Sequence, residues 1–405
     1  MAISRFEQES PSPSSLSSAT KEISALRTQL LLWTCGASLR LTVWALPPVI
    51  TIIQQDLRLS GTEVGLLYGI PAVLFAIAAT PGSTLTARFG VRGTLLTGLV
   101  IAAIAGALRG ATSNAWQLYL TSIVMSSGIG IMQPAIVVAV RTWIPERATF
   151  GTAVYTNGLM IGQVIPVATM LPFVFHQLGS WRPALAVWSI PLAGTAILVA
   201  TLHPRSIAHA VIGQPLRWLP DWNNRLNWRI GLILASVVSS FFCINGFLPA
   251  YLTGHGHPEL ISTALTALNL GQIPTSLLLL LAADKVQGRR WPYVLFGPLL
   301  SASVVGIMSS ASYWTVFWAS LLGATCGVAL ALGLSLAPLL CRHSDDVART
   351  SAAGFAISFG FAMLISFLSG AVWDLLGKVD AALIPILLGT LPISILTPTL
   401  TLKRI

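Results

Sequence analysis

Residues 30–54, LLLWTCGASLRLTVWALPPVITIIQ, carry one charge, Arg40, in a run long enough to cross a bilayer. About 20 apolar residues of helix span the hydrocarbon core. The same pattern then repeats along the chain. Residues 64–87, 93–108, 116–140, 148–175 and 183–202 hold no charged side chain, and the six segments form a first set. A polar stretch, 203–228, follows, with Arg205, Arg217 and Arg225; Arg229 opens the next helix. A second set comprises 230–252, 260–283, the long run 291–341 divided at the Ser309–Trp314 turn, 350–373 and 381–402. The expected fold is an all-α membrane protein with twelve transmembrane helices in two pseudo-symmetric six-helix bundles.

Composition agrees. Of 405 residues, 54% are hydrophobic and 9% charged, and mean hydropathy is +0.78. A soluble domain carries about 25% charged residues to solvate its surface, so lipid is the solvent here. The spacing predicts a disordered cytoplasmic tail over 1–28, an N-terminal bundle over 29–202, a cytoplasmic central loop over 203–228 and a C-terminal bundle over 229–405. The tail is rich in Ser and Pro and lacks the apolar core of a signal peptide. Cys35, Cys243, Cys326 and Cys341 are scattered singly, which fits neither a disulfide framework nor a zinc site.

Basic residues give an independent check. With both termini in the cytoplasm, 18 of the 23 Lys and Arg fall on the inside, and only Arg58, Arg182 and Lys378 lie in outside loops. This is the asymmetry of a multi-pass bacterial inner-membrane protein. The net charge of +10 is spread over loops facing anionic lipid and requires no nucleic acid. No Walker, HExxH or GxSxG motif is present, so the chain does not read as an enzyme.

Arg88-Phe89-Gly90-Val91-Arg92 lies between the second and third helices, and Asp284-Lys285-Val286-Gln287-Gly288-Arg289-Arg290 at the matching place in the second half. Either loop alone is also readable as a plain cationic turn. As a pair they resemble the signature loops of the major facilitator superfamily, with Arg88, Gly90, Arg92, Asp284, Gly288 and Arg289 as the conformational-loop residues. The family carries Asp where this chain has Ala87. That Asp helps latch one conformation, so the resemblance implies an altered first-half latch. Ser38-Leu39-Arg40 with Pro47-Pro48, Gln55-Asp56-Leu57-Arg58, Leu108-Arg109, Trp143-Ile144-Pro145-Glu146-Arg147 and Trp181-Arg182 resemble the cyanate/nitroimidazole permease branch. Nitrate/nitrite porters share part of the Trp-x-Pro loop. The resemblance implies a monomeric secondary transporter without cofactor. Its partners would be a small-molecule substrate, with or without a coupling proton or counter-anion, and the lipid bilayer.

Arg40 is the cation out of place. It lies about a dozen residues, roughly 18 Å, from either end of its helix, too deep to snorkel. An unpaired charge there costs at least about 2.5–3.5 kcal/mol. No Asp or Glu lies at mid-depth in any span; Asp374, at the end of the eleventh, comes nearest. An anionic substrate is the economical partner, since the guanidinium fork donates two hydrogen bonds to a small oxyanion. Retention of Arg40 by carbonyls and amides as a packing device is the alternative. Trp44, Tyr155, Asn157, Asn245 and Gln272 are the other candidate substrate-binding residues, although amides in bundles often only link helices. The leading reading is transport of a small anion or small polar organic solute, cyanate-like, across the inner membrane. The rival readings are an efflux pump for drugs or other neutral or weakly anionic compounds, and a non-transporting sensor.

Overall fold

The computed structural model describes residues 13–202, 222–275, 289–310, 312–341 and 344–399. Inside a bilayer each backbone N–H and C=O must be satisfied within the chain, and the described elements are helices. They are α1 (Pro13–Ser38), α2 (Leu41–Trp44), α3 (Ile50–Leu57), α4 (Gly61–Leu108), α5 (Ala115–Trp143), α6 (Ala148–Thr169), α7 (His176–Leu178), α8 (Trp181–Ala186), α9 (Ser189–Leu202), α10 (Arg225–Gly254), α11 (Ile261–Leu270), α12 (Arg290–Ser309), α13 (Tyr313–Leu340), α14 (Ser344–Leu376), α15 (Leu383–Gly389) and α16 (Leu391–Leu396).

Among the described residues, eleven segments are long and apolar enough to cross a membrane. The eighth segment of the sequence reading, 260–283, is described only to Thr275, which accounts for the difference from twelve. α1 reaches back to Pro13, into the stretch expected to be a disordered tail. Extending an existing helix costs far less than nucleating one, and Ala19–Leu26 contains several good helix formers. Residues 1–12 and most of the central loop lie outside the described residues.

α4 holds the second and third spans in one element. They are divided at Gly90, whose φ of 71° and ψ of 175° reverse the chain. Only glycine adopts that backbone readily. Arg88, Gly90 and Arg92 are exposed, and Arg92 donates to the Ala200 carbonyl at 2.5 Å. A cation thus caps the negative end of α9. Of the second loop, Arg289 is exposed and sits at the N-terminus of α12; Asp284 and Gly288 lie outside the described residues.

In the first half α4 packs on α5, and α1 on α6. The second pair approaches through glycines. A Cβ on Gly158 would stand 2.2 Å from the Trp33 carbonyl oxygen, and one on Gly162 would stand 2.4 Å from that of Ala37. Small residues permit such approach where no hydrophobic force joins helices. In the second half α10 is central, enclosed by α13 and α14.

The halves meet where α4 crosses α14, α6 meets α11, and α10 packs on α3 and the Pro47–Val49 turn. Asp374 accepts from the backbone N–H of Gly61 at 2.6 Å and of Thr62 at 2.8 Å. The Ser366 hydroxyl donates to the Gly65 carbonyl at 2.8 Å. Ser262 donates to the Val167 and Ala168 carbonyls, each at 3.2 Å. All of these lie toward one end of the bundle, here the Asp374 end; the opposite end carries Arg88. The Asp374 end of the first half is braced further by Asp56, whose Oδ2 accepts from Trp181 Nε1 at 3.0 Å and pairs with Arg182 at 2.9 Å. Arg182 Nε also donates to the Thr112 carbonyl at 2.8 Å.

Candidate functional site

The first span is a broken helix. α1 stops at Ser38, where Leu39 and Arg40 bond back to Gly36 and Ala37 at 3.2 and 3.0 Å in a tight turn. Ser38 turns its hydroxyl to the Thr34 carbonyl at 2.8 Å, a bond that competes with the helical ladder. α2 then lasts one turn before Pro47 and Pro48, which lack N–H groups and force a 3-10 turn. Arg40 lies at the first break, with φ −120° and ψ −33°.

At that break the guanidinium enters the interior between the halves. It lies 5.9 Å from the Phe75 ring centre and 6.0 Å from that of Phe242. Phe242 meets Phe359 at 6.2 Å and Trp44 at 5.4 Å; Trp44 also meets Phe241 at 5.2 Å. Aromatic faces attract a cation without neutralising it. One guanidinium nitrogen of Arg40 has no hydrogen-bond partner, and none of the ion pairs among the described residues involves it. Arg40 therefore places a planar donor and a positive charge, unpaired with any carboxylate among the described residues, between a ring of the first half and a ring of the second.

A second buried cation was not legible in the sequence as part of a site. Arg109 follows α4 directly and is 2% exposed. One guanidinium nitrogen donates to the Thr42 carbonyl at 3.0 Å, two residues beyond Arg40. At the end of a span it reads as an edge residue. The missed signal is direction: side chains in a helix lean toward its N-terminus, so an Arg at the C-terminal end of a span leans into the membrane. Tyr68 and Ser122 beside it carry no sequence mark at all.

The Major Facilitator Superfamily profile matches residues 32–258, which include the first half, with both arginines, and the start of the second. The chain belongs to the major facilitator superfamily. It is a membrane transporter, in a family whose members are not enzymes. It is 23% identical over 331 residues to the uncharacterized transporter YycB of Bacillus subtilis (strain 168), covering 80% of each chain. It is 22% identical over 348 residues to the 2-nitroimidazole transporter of Escherichia coli (strain K12), covering 86% of each. The nitroimidazole-branch resemblance is thus supported at low identity. Among solved structures, the nucleoside transporter NupG superposes with a TM-score of 0.71 at 13% identity, covering 92% of this chain and 97% of that one; this likeness speaks for the fold alone.

In this superfamily fold the expected site residues separate. Trp44 is beside Arg40 in the aromatic wall. Tyr155 stays in the first half, its backbone carbonyl 2.1 Å from where a Cβ on Gly36 would be. Asn157 is exposed, and its amide oxygen accepts from Trp33 Nε1 at 2.9 Å. Asn245 donates to the Phe241 carbonyl and accepts from Asn269, each at 2.8 Å, so its amide ties α10 to α11. Gln272 packs against Gly327 of α13. The structure brings Arg40 and Trp44 together; Asn245 bonds to Phe241, which packs on Trp44, and Asn157 is tied to Trp33 within the first half.

Proposed function

We propose that this transporter is a secondary carrier of a small anion or small polar organic solute, working by alternating access with Arg40 as the charge anchor. The observation that supports the reading is the Arg40 guanidinium, which lies between the halves with a donor unpaired and, among the described residues, no carboxylate paired with it. Such a group favours a ligand with two oxygen acceptors in one plane. The nitro group of a 2-nitroimidazole has that shape without a charge, and a small oxyanion has it with one. The rings of Phe75 and Phe242 would cover the flat faces of either.

The two bundles, 29–202 and 229–405, act as the rocking units, joined by the 203–228 segment. Orientation follows from the basic residues: the Arg88 end faces the cytoplasm, with both termini, in the inner membrane. The Asp374 end is then outside, and the inter-half bonds gathered there represent a state closed to the outside. Alternating access requires them to break in each cycle.

The aromatic wall favours one second reading, efflux of neutral or weakly anionic aromatic compounds through the same fold. Proteoliposomes separate the two. Uptake of labelled nitrite, nitrate, cyanate and small carboxylates, each set against an uncharged 2-nitroimidazole, is measured with and without an imposed membrane potential. Saturable flux of a small anion is the expected result. Flux confined to uncharged aromatic compounds would overturn the anion reading.

A further inference from the structure

Between α2, α4, α5 and α10, on the Asp374 side of Arg40, lies a small cavity of about 20 Å³. Its lining includes Trp44, Tyr68, Arg109, Ser122, Met125 and Phe242. Trp44, Arg109 and Ser122 are each 2% exposed, and Tyr68 is 6% exposed. Each carries a buried polar atom with no hydrogen-bond partner: Trp44 Nε1, Tyr68 Oη, Arg109 Nε and Ser122 Oγ. Arg109 is otherwise held by the Thr42 carbonyl at 3.0 Å and the Met125 sulfur at 3.5 Å. No ion pair among the described residues neutralises it.

Four unsatisfied polar groups around one cavity are unusual, because buried polar atoms are nearly always paired. Two of them, the indole and guanidinium N–H groups, can only donate. A water accepts two hydrogen bonds and leaves the charge of Arg109 unbalanced. A small anion accepts from all four and supplies the missing charge. The volume suits an occupant little larger than one water.

We propose that this cavity is a second anion site, separate from Arg40, and that it holds one small inorganic anion of about halide size. Phe242 lines it and also lies under the Arg40 guanidinium, so the occupant supports one wall of the Arg40 site. The inference goes beyond the proposed transport role and does not require Arg40 to bind substrate.

The test is a thermal-stability titration of the full-length protein in detergent, with chloride, bromide or nitrite replacing gluconate at constant ionic strength. A ligand that binds the folded state raises the melting midpoint saturably. Wild type and Arg40→Gln should both show the rise, and Arg109→Gln should lose it. Ser122→Ala and Tyr68→Phe, which keep the charge and nearly the shape, should each weaken the apparent affinity about tenfold. Should Arg109→Gln not fold, these two variants decide the matter, and an unchanged titration in both overturns the proposal. A wild type without a saturable response, or a response that Arg109→Gln keeps and Arg40→Gln loses, also overturns it.

Discussion

The carboxylate of Asp374 accepts the backbone N–H of Gly61 at 2.6 Å, so a second-half residue closes the first turn of a first-half helix. The first N–H groups of any helix lack partners within it, and the helix dipole adds a further attraction for an anion there. Ser60 and Glu63 form a capping box at the same turn, and Asp374 adds to it from across the interface. Because these bonds cross between the halves, they weight one conformation without being needed for the fold of either half.

Asp374→Ala should therefore leave the protein folded and shift it toward the state open at the Asp374 end. Capping contacts of this kind are worth about 1 kcal/mol, or about fivefold in population. Spin labels at Arg58 and Lys378, exposed on opposite halves at that end, would report it as a larger share of long distances. An unchanged distance distribution would show that Asp374 is no latch.

Two glycine substitutions should part company. A Cβ on Gly370 would lie 2.1 Å from the Gly61 carbonyl oxygen, across the halves, and one on Gly158 would lie 2.2 Å from that of Trp33, within one half. Gly370→Ala should open the Asp374 end in the same label experiment, more strongly than Asp374→Ala. Gly158→Ala should instead lower the melting midpoint, by about 1–3 kcal/mol of stability, and leave the label distances alone.

Asp56 holds both Trp181 and Arg182. Asp56→Ala should cost about 1–2 kcal/mol of stability, and Asp56→Asn less, since its amide oxygen still accepts from the indole. Transport per folded molecule should be unchanged by either. A selective loss of transport would place this brace in the substrate path.

The Asn245 amide links α10 to α11 through Asn269. Asn245→Ala should lower stability by about 1 kcal/mol while leaving substrate affinity within about twofold. A tenfold loss of affinity at unchanged stability would return Asn245 to the substrate site.

The helices were legible because charge, Arg40 aside, is silent across the spans and returns between them. The turn at Gly90 was legible because glycine and flanking arginines mark it. The interior position of Arg40 followed from its depth alone. The break in the helix at Arg40 did not follow: hydropathy is blind to it, and the cues, Gly36 before and Pro47-Pro48 after, also occur in unbroken packing. The partners of the amides at Asn157 and Asn245, Trp33 and Asn269, were hidden for a related reason. In spans apolar on all sides, one sequence gives no rotational phase, so nothing says which amide faces a neighbour and which an open interior. Arg109 was hidden by its place at a span's edge, and Asp374 by its partners, two backbone N–H groups that no side-chain pattern reveals.

The central claim is that Arg40 anchors the charge of the transported solute. Initial uptake rates in proteoliposomes, compared for wild type, Arg40→Lys and Arg40→Ala on the same anionic substrate, test it most directly. Loss of charge-assisted hydrogen bonds should reduce kcat/KM by about 10- to 100-fold in Arg40→Ala. Arg40→Lys should fall between, keeping the charge without the two-pronged donor. Equal uptake by Arg40→Ala and wild type would contradict the account.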